Sequence, residues 1–253
     1  MNSSLERERK IRTGGVYAFF IIGSIIMIFP FVWMFLTSFK TVEESMIVPP
    51  TIFPQSWQTK NFTDAMASLP FLSLYKNTIL MIVWRVVCAV AFSSMAGYAF
   101  AKLNFKGKNI LFSLVLIQMM LPSQIFITPQ YQMLAKVGLT NTIFALVFPG
   151  LVSAFGTFFL RQAYMGIPDE IAEAAYLDGC NQWQTIIKVM APLTTASMAA
   201  LAVFTAVFAY GDLMWPLIVN TDLKMMTLSS GLANLRGQFT TNFPVLMAGS
   251  LLA

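Results

Sequence analysis

Residues 13–39 read TGGVYAFFIIGSIIMIFPFVWMFLTSF, a run of 27 residues without a charged side chain. An α-helix needs about 20 predominantly apolar residues to cross the hydrocarbon layer of a bilayer. This run is therefore predicted to be a transmembrane helix.

The composition of the whole chain agrees with a membrane protein. Of its 253 residues, 57% are apolar and 11% are charged, and the mean hydropathy is +0.69. A soluble domain carries roughly 25% charged residues. Histidine is absent and there are two cysteines, Cys88 and Cys180. The commonest catalytic base and metal ligand is thus missing, and neither a disulfide framework nor a metal site is expected.

Five further stretches are long or apolar enough to be spans or the start of one: 77–101, 109–135, 137–160, 189–219 and 243–253. The third apolar stretch of the chain, 109–135, contains Pro122 and Pro129, so its later part is expected to bend or to leave the bilayer. The last stretch would rise only about 16 Å as a helix, so we expect the sequence to stop inside its last span. The prediction is an all-α polytopic membrane protein of about six transmembrane helices, forming a single transmembrane domain over 1–253.

The basic residues of the short loops set the orientation, because cytoplasmic loops carry an excess of Lys and Arg. Four basic residues precede the first span and three follow the second, at positions 7, 9, 10, 12, 102, 106 and 108. Both segments are assigned to the cytoplasm, which places the N-terminus there and residues 40–76 outside, with a short helix near 61–69. Alternation of the spans then places 161–188 inside. The net charge of +5 is explained by these loops, and no nucleic-acid partner is expected.

The loop at 161–192 has the pattern of two helices joined by a glycine. Pro168 and two acids mark a helix start, and Gly179 fits a left-handed residue at the helix end. Asn181 is placed to cap a second helix that would stop before Pro192. An amphipathic hairpin lying on the membrane is one interpretation of the loop. The other is a docking element, in which small alanines permit close approach and Glu173 and Asp178 offer charges to a basic partner.

This loop contains Glu173-Ala174-Ala175, then three residues, Gly179, nine residues, Val189, one residue and Ala191-Pro192. This spaced pattern resembles the EAA motif of ABC importer membrane subunits. Val189 and Ala191 replace the usual Ile and Leu. Flanking segments that also resemble this family are 161–162, 167–168, 102–107 and 119–122. The run Asp212-Leu213-Met214-Trp215-Pro216-Leu217-Ile218-Val219 is similar to the carbohydrate-uptake branch, the second permease of maltose and multiple-sugar importers, although Gly211 stands where that branch usually has Asn. We call residues 161–192 the EAA loop.

The resemblance implies a type I ABC importer permease in a bacterial or archaeal cytoplasmic membrane. It implies a heterodimer with a second permease, two ATPase subunits that bind ATP and Mg, and an extracytoplasmic solute-binding protein. The EAA loop would be the cytoplasmic coupling element within the single domain. The ATPase-coupling residues would be Glu173, Ala174, Ala175, Asp178, Gly179 and Pro192. This chain has no G-x-x-x-x-G-K-[ST] loop, so no cofactor is expected on it and it is not expected to be an enzyme.

Two other classes of membrane protein fit the sequence less well. An ion-coupled secondary transporter is expected to carry several intramembrane carboxylates or histidines, whereas the predicted spans hold one carboxylate, Asp212. An intramembrane aspartyl protease needs two carboxylates sharing a proton, and no second span offers one. ATP-driven transport through a partner subunit accounts better for the scarcity of such groups.

Polar residues within the spans are the candidates for the translocation pathway. They are Gln118, Gln124, Tyr210, Asp212 and Trp215, with Gln130 as a further glutamine of the same kind. Glutamines can also join helices, and the two aromatic residues can also anchor at the membrane surface.

The two charged residues inside the spans lie at similar depth. Arg85 is about 12 Å from the start of its span and Asp212 about 10 Å from the end of its own. They either pair with each other or with the partner subunit, or Arg85 extends to the headgroups and Asp212 caps a helix break. In both cases Asp212 is expected to face the interior of the subunit.

Overall fold

The computed structural model describes residues 2–235 and 242–253, with side chains described from residue 13 onward. Within these ranges the chain is 76% helical and contains no strand, which confirms the all-α prediction. The α-helices are α1 (Asn2–Thr37), α2 (Val42–Ser45), α3 (Lys60–Ser68), α4 (Phe71–Lys102), α5 (Lys108–Met120), α6 (Ile127–Lys136), α7 (Ile143–Val147), α8 (Ala154–Met165), α9 (Asp169–Leu177), α10 (Gln182–Gln184), α11 (Ala191–Leu193), α12 (Thr195–Tyr210), α13 (Met214–Val219), α14 (Leu228–Asn234) and α15 (Phe243–Leu251). Three short 3-10 segments are Ser123–Phe126, Phe148–Gly150 and Leu223–Met225, and Thr185–Met190 is a π-helix.

Continuous spans are fewer than the apolar stretches suggest. Among the described helices, the Thr13–Thr37 part of α1 and all of α4 are long and apolar enough to cross a membrane unbroken. Three more candidates qualify only as bent pairs, which gives up to five spans. The sixth predicted stretch forms α15, whose nine residues rise about 14 Å.

The predicted bend in the third stretch is present. Helix α5 ends at Met120, Leu121 and Pro122 are extended, and the following Ser123–Lys136 helical segment turns away by 103°. A residue before proline is driven out of the helical region by contact with the proline ring. Leu121 therefore ends the helix where the sequence places Pro122.

The expectation that the second helix of the EAA loop stops before Pro192 is wrong. The helix passes from α10 through the π-helical segment into α11, which contains Pro192 in its first turn. Proline has no N–H to donate, so the continuous helix lacks one backbone hydrogen bond at Pro192 and still extends to Leu193. The chain instead turns at Thr194, where an 80° bend leads into α12.

The described chain divides into two compact units. The first consists of the described residues within Met1–Pro70 and Leu232–Ala253. Its core lies where α3 meets α15, with Ala65 and Ala248 fully buried. Helix α3 matches the short helix predicted near 61–69. The apolar residues of α1 are mostly exposed in this chain.

The second unit, Phe71–Gly231, is built around α4, which packs along both α8 and α12. Glycines bring α4 and α8 close together. A Cβ atom at Gly97 would lie 2.8 Å from the backbone nitrogen of Arg161, and one at Gly156 would lie 2.4 Å from Ser93 Oγ. Two core clusters form along α4, one containing Met81 and the other Tyr98. Met81 and Tyr98 are about 26 Å apart along the helix axis.

Candidate functional site

An ion pair forms between the two charged residues that the sequence placed at similar depth. Arg85 Nη1 lies 2.8 Å from Asp212 Oδ2, and the two side chains are 8% and 23% exposed. Arg85 also donates from Nε and from Nη2 to the carbonyl oxygen of Leu146, at 2.9 and 2.5 Å. Direct pairing is therefore confirmed over extension of Arg85 to the headgroups. We call Arg85, Asp212 and the Leu146 carbonyl the ion-pair junction.

Irregular backbone positions the partners of Arg85. Asp212 lies in the break between α12 and α13, and Leu146 is in the last turn of α7, where carbonyls have no partner within the helix. The arginine stem passes Gly150, where a Cβ atom would lie 2.6 Å from Arg85 Cγ. A glycine at 150 therefore leaves room for the side chain to reach both acceptors.

A cavity of about 970 Å³ lies beside the junction, within the second unit. Four of the five predicted pathway residues line it, namely Gln118, Gln124, Asp212 and Trp215, as does Gln130. Its volume is at the upper end of the range of roughly 300–1,000 Å³ typical of small-molecule sites. Asp212 thus faces the interior of the subunit, as expected.

The two aromatic candidates of the pathway differ in their surroundings. Tyr210 is 48% exposed and is not part of the described cavity wall. Trp215 is 4% exposed, and its Nε1 donates to the carbonyl oxygen of Ala145 at 2.8 Å. The Trp215 ring belongs to the core cluster around Met81 and only borders the cavity, so it does not have the exposed position of a surface anchor.

Sequence reasoning missed the aromatic wall of the cavity. Phe126, Phe155, Phe204 and Phe208 line it, and the Phe155 and Phe204 rings meet edge to face at 6.2 Å. In spans that are apolar on every side, a phenylalanine facing a cavity has the same sequence signature as one facing lipid. The spacing of Phe204 and Phe208 by one helical turn was the available signal.

The EAA loop has the predicted helix–glycine–helix form. Helix α9 ends at Leu177, and Gly179 has φ +83. The N–H of Gly179 donates to the Tyr176 carbonyl and that of Cys180 to the Ala175 carbonyl, each at 3.0 Å. Asn181 caps α10 as predicted, in a capping box with Gln184. The left-handed turn closes the end of α9 with backbone hydrogen bonds.

The two sides of α9 have different environments. Ala172 and Ala175 are buried, Ala172 in the cluster of Tyr98 and Leu160. On the other side are exposed side chains, which we call the exposed face: Glu173, Ala174, Leu177, Asp178, Trp183 and Ile187, the last two from the second helix of the loop. Ala175 therefore packs within this chain, whereas Ala174 is on the surface together with both predicted carboxylates. Pro192 is also exposed.

The end of α4 holds α9 in place. Lys102 Nζ contacts the Asp169 carboxylate and donates to the Ile167 carbonyl. The Tyr98 hydroxyl lies 3.3 Å from that of Tyr176. These contacts were not predicted, because they join residues more than 60 positions apart in the sequence.

Within the described residues, no group of three or more His, Cys, Asp or Glu side chains is arranged to hold a metal ion. The expectation of a site without metal remains a prediction.

Comparison with known proteins gives consistent matches. Residues 89–253 match the family described as binding-protein-dependent transport system inner membrane component. The chain is 34% identical to an arabinooligosaccharides transport system permease protein of Halalkalibacterium halodurans, over 90% of this chain and 83% of the relative. It is 27% identical to a diacetylchitobiose uptake system permease protein of Streptomyces coelicolor, over 86% and 72%. It is also 27% identical to an sn-glycerol-3-phosphate transport system permease protein of Escherichia coli, over 92% and 85%.

The fold also matches a solved structure. A chain of a bacterial ABC transporter involved in the import of the acidic polysaccharide alginate superimposes with a TM-score of 0.80 at 18% identity, over 96% of this chain and 92% of that one. At this identity the likeness concerns the fold, and it agrees with the predicted permease architecture.

Proposed function

The chain belongs to the family of binding-protein-dependent transport system inner membrane components, and from that premise we propose that it is a permease subunit of an ATP-driven sugar or oligosaccharide importer. The observation that carries the proposal is the glycine-terminated helix α9, which presents Glu173, Ala174 and Asp178 on an exposed face. A sugar is supported by the two relatives named for arabinooligosaccharides and diacetylchitobiose, whereas the third is named for a phosphorylated polyol, sn-glycerol-3-phosphate.

We assign the coupling role to the EAA loop. Glu173 and Asp178 supply carboxylates to basic residues of an ATPase subunit, and Ala174 lets that subunit approach the backbone. Gly179 sets the direction of the second helix through its positive φ. Ala175 is buried on the inner side of α9, and Pro192 begins the short helix before the bend into α12. Movement of the ATPase is then transmitted through α9 to α4.

The translocation pathway is assigned to the cavity beside the ion-pair junction. Gln118, Gln124 and Asp212 supply polar groups at its wall, and Trp215 supports that wall from the core. We assign Tyr210 to a position beside this pathway and not within its wall. Transport by alternating access requires helices that move as bodies around a central site, and solute and ATP act through their different affinities for the inward and outward states.

The remaining partners follow from the same proposal. The chain forms one transmembrane domain over 1–253 in a bacterial or archaeal cytoplasmic membrane, with its N-terminus in the cytoplasm. It pairs with a second permease, binds two ATPase subunits that hold ATP and Mg, and receives solute from an extracytoplasmic binding protein. The chain itself holds no cofactor and catalyses no reaction.

Reconstitution in proteoliposomes tests the function. The complete assembly is expected to take up an oligosaccharide only with ATP, and this chain alone is expected to show neither ATPase activity nor uptake. Uptake by the chain alone, driven by a proton gradient, would replace the proposal with an ion-coupled secondary transporter.

Cross-linking tests the coupling surface. In a variant with Cys88 and Cys180 replaced by serine, Leu177→Cys is expected to cross-link to the ATPase subunit, because Leu177 is 89% exposed on the exposed face. The control is Val203→Cys, which is 62% exposed on α12 and is expected to give no such product. A cross-link from Val203 and none from Leu177 would contradict the assignment.

A further inference from the structure

The charge of the cavity wall is balanced. Among the described residues that line it, Arg85 and Asp212 are the only charged ones, and they pair at 2.8 Å. The other polar groups at the wall are neutral: the amides of Gln118, Gln124 and Gln130, and the hydroxyls of Ser123, Ser153 and Thr205. The described wall therefore carries no net charge.

Three of the five N–H groups of the Arg85 guanidinium donate to acceptors of its own chain. Its Nη1 donates to Asp212, and its Nε and Nη2 donate to Leu146. An anionic solute at the guanidinium would have to compete with a carboxylate that is already bonded, and Asp212 would repel its charge. A neutral solute meets neither obstacle. Transfer of an uncompensated charge out of water costs far more than transfer of a hydroxyl that finds a partner.

The rest of the wall suits an uncharged sugar. Side-chain amides both donate and accept, so the three glutamines can pair with hydroxyl groups in either sense. The rings of Phe155, Phe204 and Phe208 offer apolar surface on which the C–H faces of a pyranose can pack.

We infer that the cavity of this chain takes uncharged glycosides and disfavours sugars that carry a carboxylate or a phosphate. This inference rests on the proposed function and adds the substrate class. Similarity leaves the charge of the solute open, because the similar permeases are named for solutes with and without a phosphate group.

The experiment measures the ratio of the affinity for a neutral disaccharide to the affinity for its uronate. The probes are neutral disaccharides and the uronates made from each of them by oxidation of one primary hydroxyl. Binding to the complete assembly of permeases and ATPases in nanodiscs is measured by saturation-transfer NMR without the binding protein, which would impose its own selectivity. We expect the wild-type assembly to bind the neutral probes at least tenfold more tightly than the uronates.

Charge variants of this chain isolate its contribution from that of the partner permease. Asp212→Asn leaves the Arg85 charge uncompensated, so the ratio is expected to shift at least tenfold towards the uronates. Arg85→Gln leaves the Asp212 carboxylate, so the ratio shifts further towards the neutral probes. The double variant R85Q/D212N is again neutral and is expected to return close to the wild-type ratio. A general loss of packing would weaken both probes together and leave the ratio unchanged.

Three results would overturn the inference: uronates binding as tightly as neutral probes in the wild type, an unchanged ratio in Asp212→Asn, or no binding of either probe. ATP-driven uptake of a uronate by the assembly would leave the proposed function standing while the inference fails. Absence of ATP-driven uptake of any sugar would instead remove the proposed function.

Discussion

The ion-pair junction and the EAA loop are joined by α4 but satisfy their charged groups in opposite ways. Arg85 and Lys102, which mark the two regions on α4, are about 26 Å apart along the helix axis. At the junction, Arg85 is enclosed and bonded to acceptors of its own chain. In the EAA loop, Glu173 and Asp178 are exposed, and no described side chain bonds their carboxylates. Charges inside an apolar span must be paired internally, whereas charges on a docking surface are left for a partner.

The comparison predicts that the same chemical change has different consequences in the two regions. Asp212→Ala removes the partner of an enclosed arginine and is expected to lower the free energy of unfolding by about 3 kcal/mol. Asp178→Ala is the matched control, and because its side chain is exposed its effect is expected to stay within about 0.5 kcal/mol. Reversible unfolding in mixed micelles measures both variants. Equal losses would show that the two regions do not differ in this way.

Helix α4 joins the ion-pair junction to the EAA loop, and its packing can be tested where it contacts α8. Gly97→Ala places a Cβ atom 2.8 Å from the Arg161 backbone nitrogen, and a backbone atom cannot move aside as a side chain can. The expected loss is about 2 kcal/mol of unfolding free energy.

The control for this variant is Gly23→Ala in α1, where a Cβ atom meets nothing within 4 Å and no loss is expected. The same unfolding measurement applies to both. If Gly97→Ala proves as mild as its control, the contact between α4 and α8 is looser than the structure indicates.

A substitution in the EAA loop is expected to act on coupling. Gly179 has φ +83, and a Cβ atom there would meet nothing within 4 Å, so the penalty comes from the backbone alone. Left-handed backbone costs an ordinary residue about 1–2 kcal/mol. Gly179→Val is therefore expected to turn the second helix of the loop and reduce ATP-driven uptake about tenfold while ATP hydrolysis continues.

The control is Gly179→Asn, because asparagine tolerates the left-handed region. It is expected to retain most of the uptake. Normal solute-stimulated uptake in the Gly179→Val assembly would count against the coupling role.

The smallest effect is expected at the start of α9. Asp169→Asn removes the charge that pairs with Lys102, but the Asp169 side chain is 77% exposed and Lys102 still donates to the Ile167 carbonyl. An exposed ion pair of this kind contributes about 0.5 kcal/mol. Unfolding in the same micelles checks this value, and a loss as large as that of Asp212→Ala would mean that the loop depends on this pair.

Much of the fold follows from local rules that the sequence displays. Apolar runs located the spans, Pro122 located the bend after α5, and Gly179 with Asn181 located the turn of the EAA loop. The π-helical segment Thr185–Met190 was missed, because apolar spacing does not distinguish it from an α-helix. The expectation that the second helix of the EAA loop ends before Pro192 was therefore also wrong.

The candidate site was predictable only in part, because depth along a helix can be counted whereas helix neighbours cannot. The depths of Arg85 and Asp212 made pairing one of two possibilities, and the packing of α4 against α12 decided it. Trp215 was a pathway candidate by residue type, yet the Ala145 carbonyl holds it in the core. The phenylalanine wall required knowing which side of each span faces inward.

The bent third span has a consequence for biosynthesis. Helix α5 rises about 20 Å and α6 about 15 Å, whereas the hydrocarbon layer is about 30 Å thick. The break at Leu121 and Pro122 exposes backbone groups that lipid cannot hydrogen-bond. Helices α1 and α4 can therefore leave the translocon singly, but α5 and α6 must be released together, beside protein already in the membrane.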